Sequence, residues 1–221
     1  MFDNIAGKYD FMNHFFSVGI DILWRKKAIG IIAKENPATL LDVATGTADL
    51  AIEAFEQTKA RITGIDISEG MLEVGRKKIS EKNYQSAITL KQVDSENMPF
   101  EENSFDGVTV AFGVRNFENL QQGLNEMYRV IKPGSVAVIL EFSKPKRFPF
   151  KQLYNLYFRN IMPVVGKVFS DDKQAYAYLP ESVQAFPDGE AFLRIMQNSG
   201  FIQTKVKSLT FGIASIYTGR K

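Results

Sequence analysis

The chain has 221 residues, of which 45% are hydrophobic and 24% charged, and this balance is typical of one globular domain with a sizeable core. Its net charge of +2 is too small to argue for nucleic-acid binding, the absence of cysteine excludes disulfides and thiolate sites, and a single histidine excludes a multi-histidine metal site. No apolar run approaches the roughly 20 residues of a membrane-spanning helix, and the first residues do not resemble a signal peptide. We therefore expect one cytoplasmic domain over residues 1–221, with no bound metal.

Hydrophobic periodicity alternates between strands and helices along the chain. Strands are predicted over 39–44, 62–67, 88–93, 105–112, 135–142, 200–208 and 212–219, and helices over 20–34, 48–57, 69–80, 118–131, 150–161 and 188–198. Strands separated by helices predict a doubly wound α/β fold with a mostly parallel seven-stranded sheet. The short link at 209–212 predicts that the last two strands form an antiparallel hairpin.

Three segments depart from this regular alternation. Residues 132–134, Lys-Pro-Gly, predict a helix stop and a turn before the fifth strand. Residues 1–35 are expected to form an N-terminal helical cap. The segment 144–187 contains several prolines and aromatic residues and no clear strand, so we expect an insertion that covers the open edge of the sheet on the substrate side.

The segment 40–49 predicts a buried strand, a turn of small residues and the start of a helix, with Asp42 fixing the turn by hydrogen bonding. The segment 63–68 predicts a second buried strand that ends in Asp66. Because the carboxyl ends of parallel strands meet at one edge of a sheet, the turn and this carboxylate should lie close together. Small residues allow a ligand to approach the backbone, and Asp66 can accept both hydroxyls of a ribose. This pattern predicts a nucleoside cofactor.

A nicotinamide dinucleotide site requires a G-x-G-x-x-G turn, whereas the turn at 45–49 has one glycine, Gly46. Asp49, at the start of the following helix, puts a negative charge where a phosphate would bind. A cofactor that has no phosphate and carries a positive centre with an amino-acid tail tolerates that acid. S-adenosylmethionine is such a cofactor.

Seven motifs along nearly the whole chain carry a resemblance to a known family. They are YDFMN at 9–13, LDVATGTAD at 41–49, NMPF at 97–100, AFGVRN at 111–116, YRVIKPG at 128–134, LEFSKP at 140–145 and YAYLPES at 176–182. The chain resembles the class I S-adenosylmethionine-dependent methyltransferases, which are Rossmann-like. Within that class it resembles the ubiquinone/menaquinone biosynthesis C-methyltransferase family, for which the motifs at 112–116 and 178–182 are the most specific.

The resemblance implies C-methylation of the quinol ring of demethylmenaquinol to menaquinol, with S-adenosylmethionine as methyl donor, in menaquinone biosynthesis. The same reaction on 2-methoxy-6-polyprenyl-1,4-benzoquinol, in ubiquinone biosynthesis, is an open alternative. Alternatives from other classes are a non-catalytic module that binds S-adenosylmethionine and a nicotinamide oxidoreductase. The intact Asp66 and Arg115-Asn116 argue against the first of these, and the single-glycine turn argues against the second.

The resemblance also implies the cofactor contacts. Thr47, with Gly46, would line the methionine end of S-adenosylmethionine in the first turn. Asp66 would hold the ribose, and Asp94 and Ser95, just past the third strand, would bracket the adenine.

Carbon methylation requires a nucleophilic ring carbon, and a hydroquinone ring becomes nucleophilic when its hydroxyl loses a proton. Arg115 and Asn116 follow the fourth strand, where they are expected to stabilise the phenolate or to position an activating water. The alternative for Arg115 is an ion pair with a core carboxylate. Asp49 is a third candidate catalytic residue, and its alternative role is that of a charge at a helix N-terminus.

Three residues are candidates for contact with the acceptor: His14, Tyr154 and Tyr178. The segment 150–162 has an apolar helical face flanked by basic residues, which is expected to cover the polyprenyl tail of the quinol or to touch a membrane. The alternative is that this face packs on the domain. We therefore expect a polyprenyl quinol substrate, peripheral contact at the inner face of the cytoplasmic membrane and no nucleic-acid partner, and a homodimer is left open.

Overall fold

The structure is a computed structural model that describes residues 19–156 and 181–221. Its seven strands are β1 (Thr39–Val43), β2 (Arg61–Asp66), β3 (Ile88–Gln92), β4 (Phe105–Ala111), β5 (Ile131–Phe142), β6 (Ile202–Leu209) and β7 (Ala214–Arg220). Its main helices are α1 (Ile20–Ile32), α2 (Asp49–Thr58), α3 (Glu69–Glu81), α4 (Leu120–Val130), α5 (Phe150–Leu156) and α6 (Glu190–Asn198). Over these two described ranges, no helix has the length and apolar character needed to cross a membrane.

The strands form one sheet in the order β3-β2-β1-β4-β5-β7-β6. Strands β1 to β5 pair in parallel, and β7 pairs antiparallel with both β5 and β6. This arrangement confirms the predicted doubly wound sheet and its C-terminal hairpin. His14, Tyr178 and the part of the predicted 150–161 helix beyond Leu156 lie outside the described residues.

Helices cover both faces of the sheet, which explains the continuous apolar runs of the central strands. One core layer contains residues of α1, α2 and α3, and the other contains residues of α4 and α6. Successive strand residues point to opposite faces, so Leu40 packs in the first layer and Leu41 in the second. Along β5 the same alternation sends Val136, Val138 and Leu140 to the first layer and Ala137 and Ile139 to the second.

The fifth strand begins earlier than the sequence predicts. Helix α4 ends at Val130, as the Lys-Pro-Gly stop indicates, but β5 starts at the next residue instead of after a turn. The pairing with β4 jumps from Phe105↔Ile131 to Gly107↔Val136, so residues 132–135 form a bulge within the strand. Gly134, with φ of 82°, donates its N–H to the carbonyl of Lys221 at 2.8 Å. This hydrogen bond to the C-terminal residue therefore allows β5 to begin before Pro133.

Asp42 is a buried carboxylic acid in β1, at the centre of the sheet. Its Oδ1 accepts a hydrogen bond from Thr109 Oγ1 of β4 at 2.8 Å, and its Oδ2 accepts one from Thr45 Oγ1 at 2.6 Å. Burial raises the pKa of Asp42 from 3.8 to about 6, although both hydrogen bonds act to lower it. The bond to Thr45 fixes the turn after β1, which confirms the role predicted for this residue.

The raised pKa makes ionisation of Asp42 unfavourable to folding. Between pH 3.8 and about 6 the folded chain holds more protons at this group than the unfolded chain, so the free energy of unfolding falls as the pH rises. A shift of this size corresponds to about 3 kcal/mol once the pH is above both pKa values. Asparagine at position 42 could accept from Thr109 and donate to Thr45 without titrating.

We therefore expect Asp42→Asn to remove this pH dependence. Urea unfolding of both proteins should show that the wild type loses about 2.5 kcal/mol relative to the variant between about pH 4 and about pH 7. Both proteins carry the other carboxyl groups, so the contributions of those groups to the pH dependence cancel in the comparison. Asp106 and Glu126, for example, have lowered pKa values and act in the opposite direction. A constant difference across this range would contradict a raised pKa at Asp42.

Candidate functional site

A cavity of about 280 Å³ lies where four parallel strands end. Its lining includes residues that directly follow β1, β2 and β3, together with Ala111 at the end of β4 and residues of the segment after it. Strands β1 and β4 are neighbours in the sheet but not consecutive in the chain, so the strand order reverses between them. In doubly wound sheets, ligands bind in the crevice outside the carboxyl ends of the strands at such a reversal.

The turn after β1 forms one wall of this cavity and has an uncommon backbone. Ala44, Gly46 and Ala48 have φ values of 50°, 55° and 67°, and such positive values are rare in alanine. Gly113, from the segment after β4, packs so closely that a Cβ added to it would lie 2.5 Å from the Cβ of Ala44. The turn is therefore held as a surface of small residues that a ligand can approach, as the sequence predicts.

Asp66 ends β2 and faces the same turn across the cavity edge. Its Oδ2 accepts the N–H of Gly46 at 2.8 Å, and its Oδ1 accepts the N–H of Ser68 at 2.9 Å. These two contacts orient the carboxylate group, whose oxygens can each accept more than one hydrogen bond. The carboxylate lines the cavity, and its role towards a ribose stays a prediction.

The loop after β3 supplies the next part of the lining, including Asp94 and Ser95. Helix α4 holds this loop: Arg129 donates to the carbonyls of Phe100 and Met98 at 2.6 and 2.9 Å. Glu126 accepts the N–H of Met98 at 2.9 Å. The NMPF motif therefore serves to fix the loop, while the residues before it reach the cavity.

Asp49 begins α2 and is held between two cations from neighbouring helices. Its Oδ1 lies 2.6 Å from Lys78 Nζ of α3, and its Oδ2 lies 3.3 Å from Arg25 Nη1 of α1. Arg25 also pairs with the buried Asp21 at 2.9 Å, and Lys78 donates to Thr47 Oγ1 at 3.0 Å. Asp49, Arg25 and Thr47 all line the cavity, so this network borders its first-turn end.

Arg115 forms a buried ion pair, which is the alternative that the sequence leaves open for it. Its Nη1 lies 2.8 Å from Glu141 Oε1 of β5, and the two side chains are 4% and 0% exposed. The same Nη1 donates to the carbonyl of Phe112, and the Arg115 N–H donates to Glu141 Oε2 at 3.3 Å. Burial raises the pKa of Glu141, against the opposing effect of the Arg115 charge.

This ion pair fixes the short helical turn Val114–Asn116 beside the cavity. Among the described residues that line the cavity, Asn116 is present and Arg115 is not. The structure therefore brings Asn116 to the site and turns the guanidinium of Arg115 towards the core. Whether Arg115 acts in catalysis stays a prediction.

Tyr154 is the one acceptor candidate within the described residues. It is buried on α5, and burial raises the pKa of its hydroxyl, with a further contribution from the negative charge of Asp188. It does not belong to the described lining of the cavity. Its role towards the acceptor, like those of His14 and Tyr178 outside the described residues, stays a prediction.

The charge of the lining indicates what the cavity can bind. Over the described residues, one cationic side chain, Arg25, lines it together with six carboxyl groups: Asp42, Asp49, Asp66, Asp94, Glu96 and Glu118. A pyrophosphate would be repelled by such a surface, whereas a nucleoside with a positive centre would be attracted. The apolar Ile67, Met71, Val93 and Phe117 add surface for a base. These residues fit S-adenosylmethionine.

Sequence reasoning missed two residues of this region, Arg25 and Glu141. Asp21 and Arg25 stand four residues apart on a predicted helix, which is a signal for an ion pair but not for a cavity. Glu141 interrupts an apolar strand run, which is a signal for a buried carboxylate whose partner only the fold reveals.

Solved structures with the same fold include several methyltransferases. A S-adenosylmethionine-dependent methyltransferase from Thermotoga maritima superposes with a TM-score of 0.70 at 18% identity, covering 100% of this chain and 98% of that one. Phosphoethanolamine N-methyltransferase 2 from Haemonchus contortus, in complex with S-adenosyl-L-methionine, gives a TM-score of 0.60 at 16% identity, covering 83% of this chain and 48% of that one. These similarities confirm the predicted fold.

Sequence comparison identifies the family, whereas the similar structures show the fold alone. The demethylmenaquinone methyltransferase of Bacteroides fragilis is 46% identical over 222 residues, which are 100% of this chain and 91% of that protein. The ubiquinone/menaquinone biosynthesis C-methyltransferase UbiE of Geobacter sulfurreducens is 47% identical over 223 residues, covering 100% and 87%. A family model of the ubiE/COQ5 methyltransferases matches residues 1–221, as the seven motifs predict. The chain therefore belongs to the ubiE/COQ5 methyltransferase family.

Proposed function

We propose that the protein is a S-adenosylmethionine-dependent enzyme that methylates a ring carbon of demethylmenaquinol to give menaquinol. The observation that carries this proposal is the acidic cavity at the strand-order reversal, with Asp66 oriented at its edge. Membership of the ubiE/COQ5 methyltransferase family supports the reaction type. The name of the Bacteroides fragilis relative supports the acceptor.

The cofactor contacts that we propose follow the cavity wall. Asp66 accepts the ribose hydroxyls, because its oxygens are already oriented by Gly46 and Ser68. Thr47 and Gly46 line the methionine end, and Asp94 and Ser95 lie beside the adenine. When bound, S-adenosylmethionine supplies a methyl group that its sulfonium centre has already activated, so the chain need not activate the donor.

The chain must instead orient the acceptor, exclude water and stabilise the negative charge of a phenolate. Asn116 lines the cavity on the β4 side, and its amide can donate a hydrogen bond to a phenolate oxygen. We propose that Arg115, paired with Glu141, keeps Asn116 in place and adds positive charge behind it. Asp49, Tyr154, His14 and Tyr178 remain proposed site residues, with Asp49 at the cofactor end.

The Arg115–Glu141 pair gives a test that separates catalysis from folding. Removing one partner of a buried ion pair leaves the other charge uncompensated and costs roughly 3–5 kcal/mol, whereas replacing both by neutral groups costs far less. We expect Glu141→Gln to unfold at a lower urea concentration than the wild type. The double variant Arg115→Met with Glu141→Gln should regain most of the stability.

In the double variant we expect turnover to stay at least about 10-fold below the wild type, while the Michaelis constant for S-adenosylmethionine is nearly unchanged, because the loss concerns the acceptor. Recovery of turnover together with stability would instead show that the ion pair serves folding alone.

The acceptor assay tests the proposed function itself. The relative from Geobacter sulfurreducens is named for both quinone pathways and is as similar to this chain as the Bacteroides fragilis protein, so the benzoquinol is the second candidate acceptor. The protein should be incubated with methyl-labelled S-adenosylmethionine and with short-tailed demethylmenaquinol or 2-methoxy-6-polyprenyl-1,4-benzoquinol. We expect label in the naphthoquinol product. Label in the benzoquinol alone would overturn the assignment, and binding without transfer to either acceptor would favour a non-catalytic module.

We further propose that the protein touches the inner face of the cytoplasmic membrane, where a polyprenyl quinol resides. The support is an aromatic patch formed by Phe148, Phe150 and Phe211. Phe148 and Phe211 are 80% and 66% exposed, and the ring of Phe211 stacks on that of Phe150 at 3.8 Å. Lys146, Arg147 and Lys151, which flank Phe148 and Phe150 in the chain, are exposed. Aromatic and basic groups together are typical of contact with anionic lipid surfaces.

Replacing Phe148 and Phe211 by serine should therefore reduce sedimentation of the protein with phosphatidylglycerol vesicles by about 10-fold, since the loss of buried apolar area weakens insertion. Ile202→Ser is the matched control. Ile202 is 58% exposed at the start of β6, at the other end of the hairpin from Phe211. Equal losses in both variants, or no vesicle binding by the wild type, would contradict this surface.

The domain boundaries inferred from the sequence also enter as proposals: one domain over 1–221, an N-terminal cap over 1–35 and a substrate-side insertion over 144–187. Within the cap, α1 packs on α2 and β5. Within the insertion, α5 carries Phe150 of the aromatic patch. The homodimer left open by the sequence stays a prediction that gel filtration can test.

A further inference from the structure

The first-turn end of the cavity has a charge arrangement that the cofactor contacts above do not use. Arg25 Nη1 of α1 lies 3.3 Å from Oδ2 of Asp49 at the start of α2, and both residues line the cavity. The side chain of Arg25 is 10% exposed, and the buried Asp21 holds it at 2.9 Å. The Arg25 cation and the Asp49 anion therefore lie side by side in the part of the cavity lined by Gly46, Thr47 and the start of α2.

We infer that Arg25 and Asp49 form the subsite for the α-amino acid group of the methyl donor, with Arg25 binding the carboxylate and Asp49 the ammonium. This inference rests on the proposed function, because it assigns two contacts of the same cofactor. An amino acid is a zwitterion, and the pair presents the opposite charges next to each other.

Electrostatics leaves little choice for the ligand carboxylate. The cavity lining carries six carboxyl groups, and over the described residues Arg25 is the one cation that faces them. Elsewhere along the cavity lining, these carboxyl groups would repel the carboxylate of the ligand. Within the described residues, both ion pairs of Arg25 use Nη1, while a planar guanidinium has five N–H donors in a fork that matches a carboxylate.

Asp49 suits the ammonium for a complementary reason. Lys78 contacts its Oδ1 from the side of α3, and Arg25 contacts its Oδ2 from the side of α1. The two cations fix the orientation of the carboxylate, and each of its oxygens can accept a further donor. Lys78 itself does not belong to the described lining of the cavity, so its contribution is to hold Asp49.

Decarboxylated S-adenosylmethionine separates binding from structural support, because it lacks the carboxylate and keeps the ammonium and the sulfonium. Isothermal titration should compare S-adenosylmethionine with this probe on the wild type and on Arg25→Met, which removes the charge and keeps an aliphatic stem. We expect Arg25→Met to weaken S-adenosylmethionine by about 10- to 100-fold, the range for a lost charge-assisted contact, and to leave the affinity of the probe within about threefold.

Lys78→Met is the matched control, since it removes the other cation that touches Asp49. It should change the affinities of both ligands by a similar factor, so that their ratio stays at the wild-type value. Arg25→Lys should restore part of the preference for S-adenosylmethionine, because an ammonium keeps the charge but loses the fork.

Arg25→Met leaves Asp21 buried without this cation, so its thermal unfolding must be measured in parallel. If it does not fold, the double variant Asp21→Asn with Arg25→Met removes the uncompensated carboxylate and serves in its place. Equal weakening of both ligands by a folded Arg25 variant would overturn the subsite and leave the proposed function intact. A wild type that binds neither ligand would instead overturn the proposed function.

Discussion

The turn that joins β1 to α2 is the constraint on which the rest of the site depends. Its positive φ values at Ala44, Gly46 and Ala48 are tolerated only because the surroundings fix them. Asp42 of β1 fixes the start of the turn by accepting a hydrogen bond from Thr45. Asp66 of the neighbouring strand β2 fixes its middle by accepting the N–H of Gly46. With the turn held in this way, the backbone presents a wall of small residues to the cavity, and α2 starts with Asp49 at the cavity edge.

Two buried carboxyl groups support this arrangement in different ways. Asp42 is bound by two hydroxyl groups and has a raised pKa, so near neutral pH its negative charge is held in the core at a cost in stability. Glu141 is paired with Arg115, and the pair fixes the turn at Val114–Asn116. In both cases a polar group in the sheet positions a loop at its carboxyl edge, where the cavity lies.

The acidic lining gives the cavity its selectivity. An anionic wall repels phosphates and attracts a sulfonium, so the same feature that disfavours a dinucleotide favours S-adenosylmethionine. Such a wall requires a dedicated cation for any anionic part of the ligand. In the subsite that we propose, Arg25 meets this need from α1, whereas Asp66, Asp94 and Ser95 lie at or after the ends of strands.

Much of the site could be predicted because its parts are local in sequence or occur at strand ends. The turn at 45–49 follows one predicted strand and Asp66 lies near the end of another, and parallel strands bring such ends together. Arg25 and Glu141 could not be predicted in this way. Arg25 meets Asp49 only because α1 packs on α2, and Glu141 meets Arg115 only because β5 lies beside β4.

The sequence by itself determined the order of strands and helices, the parallel sheet, the first turn and the family. Periodicity, small residues and motifs are properties of neighbouring residues, so they can be read along the chain. Only the tertiary structure decided that Arg115 turns inward to Glu141 while Asn116 faces the cavity, and that the proline bulge lies inside β5. These features depend on which distant segments pack together, since burial and charge pairing are properties of the folded chain.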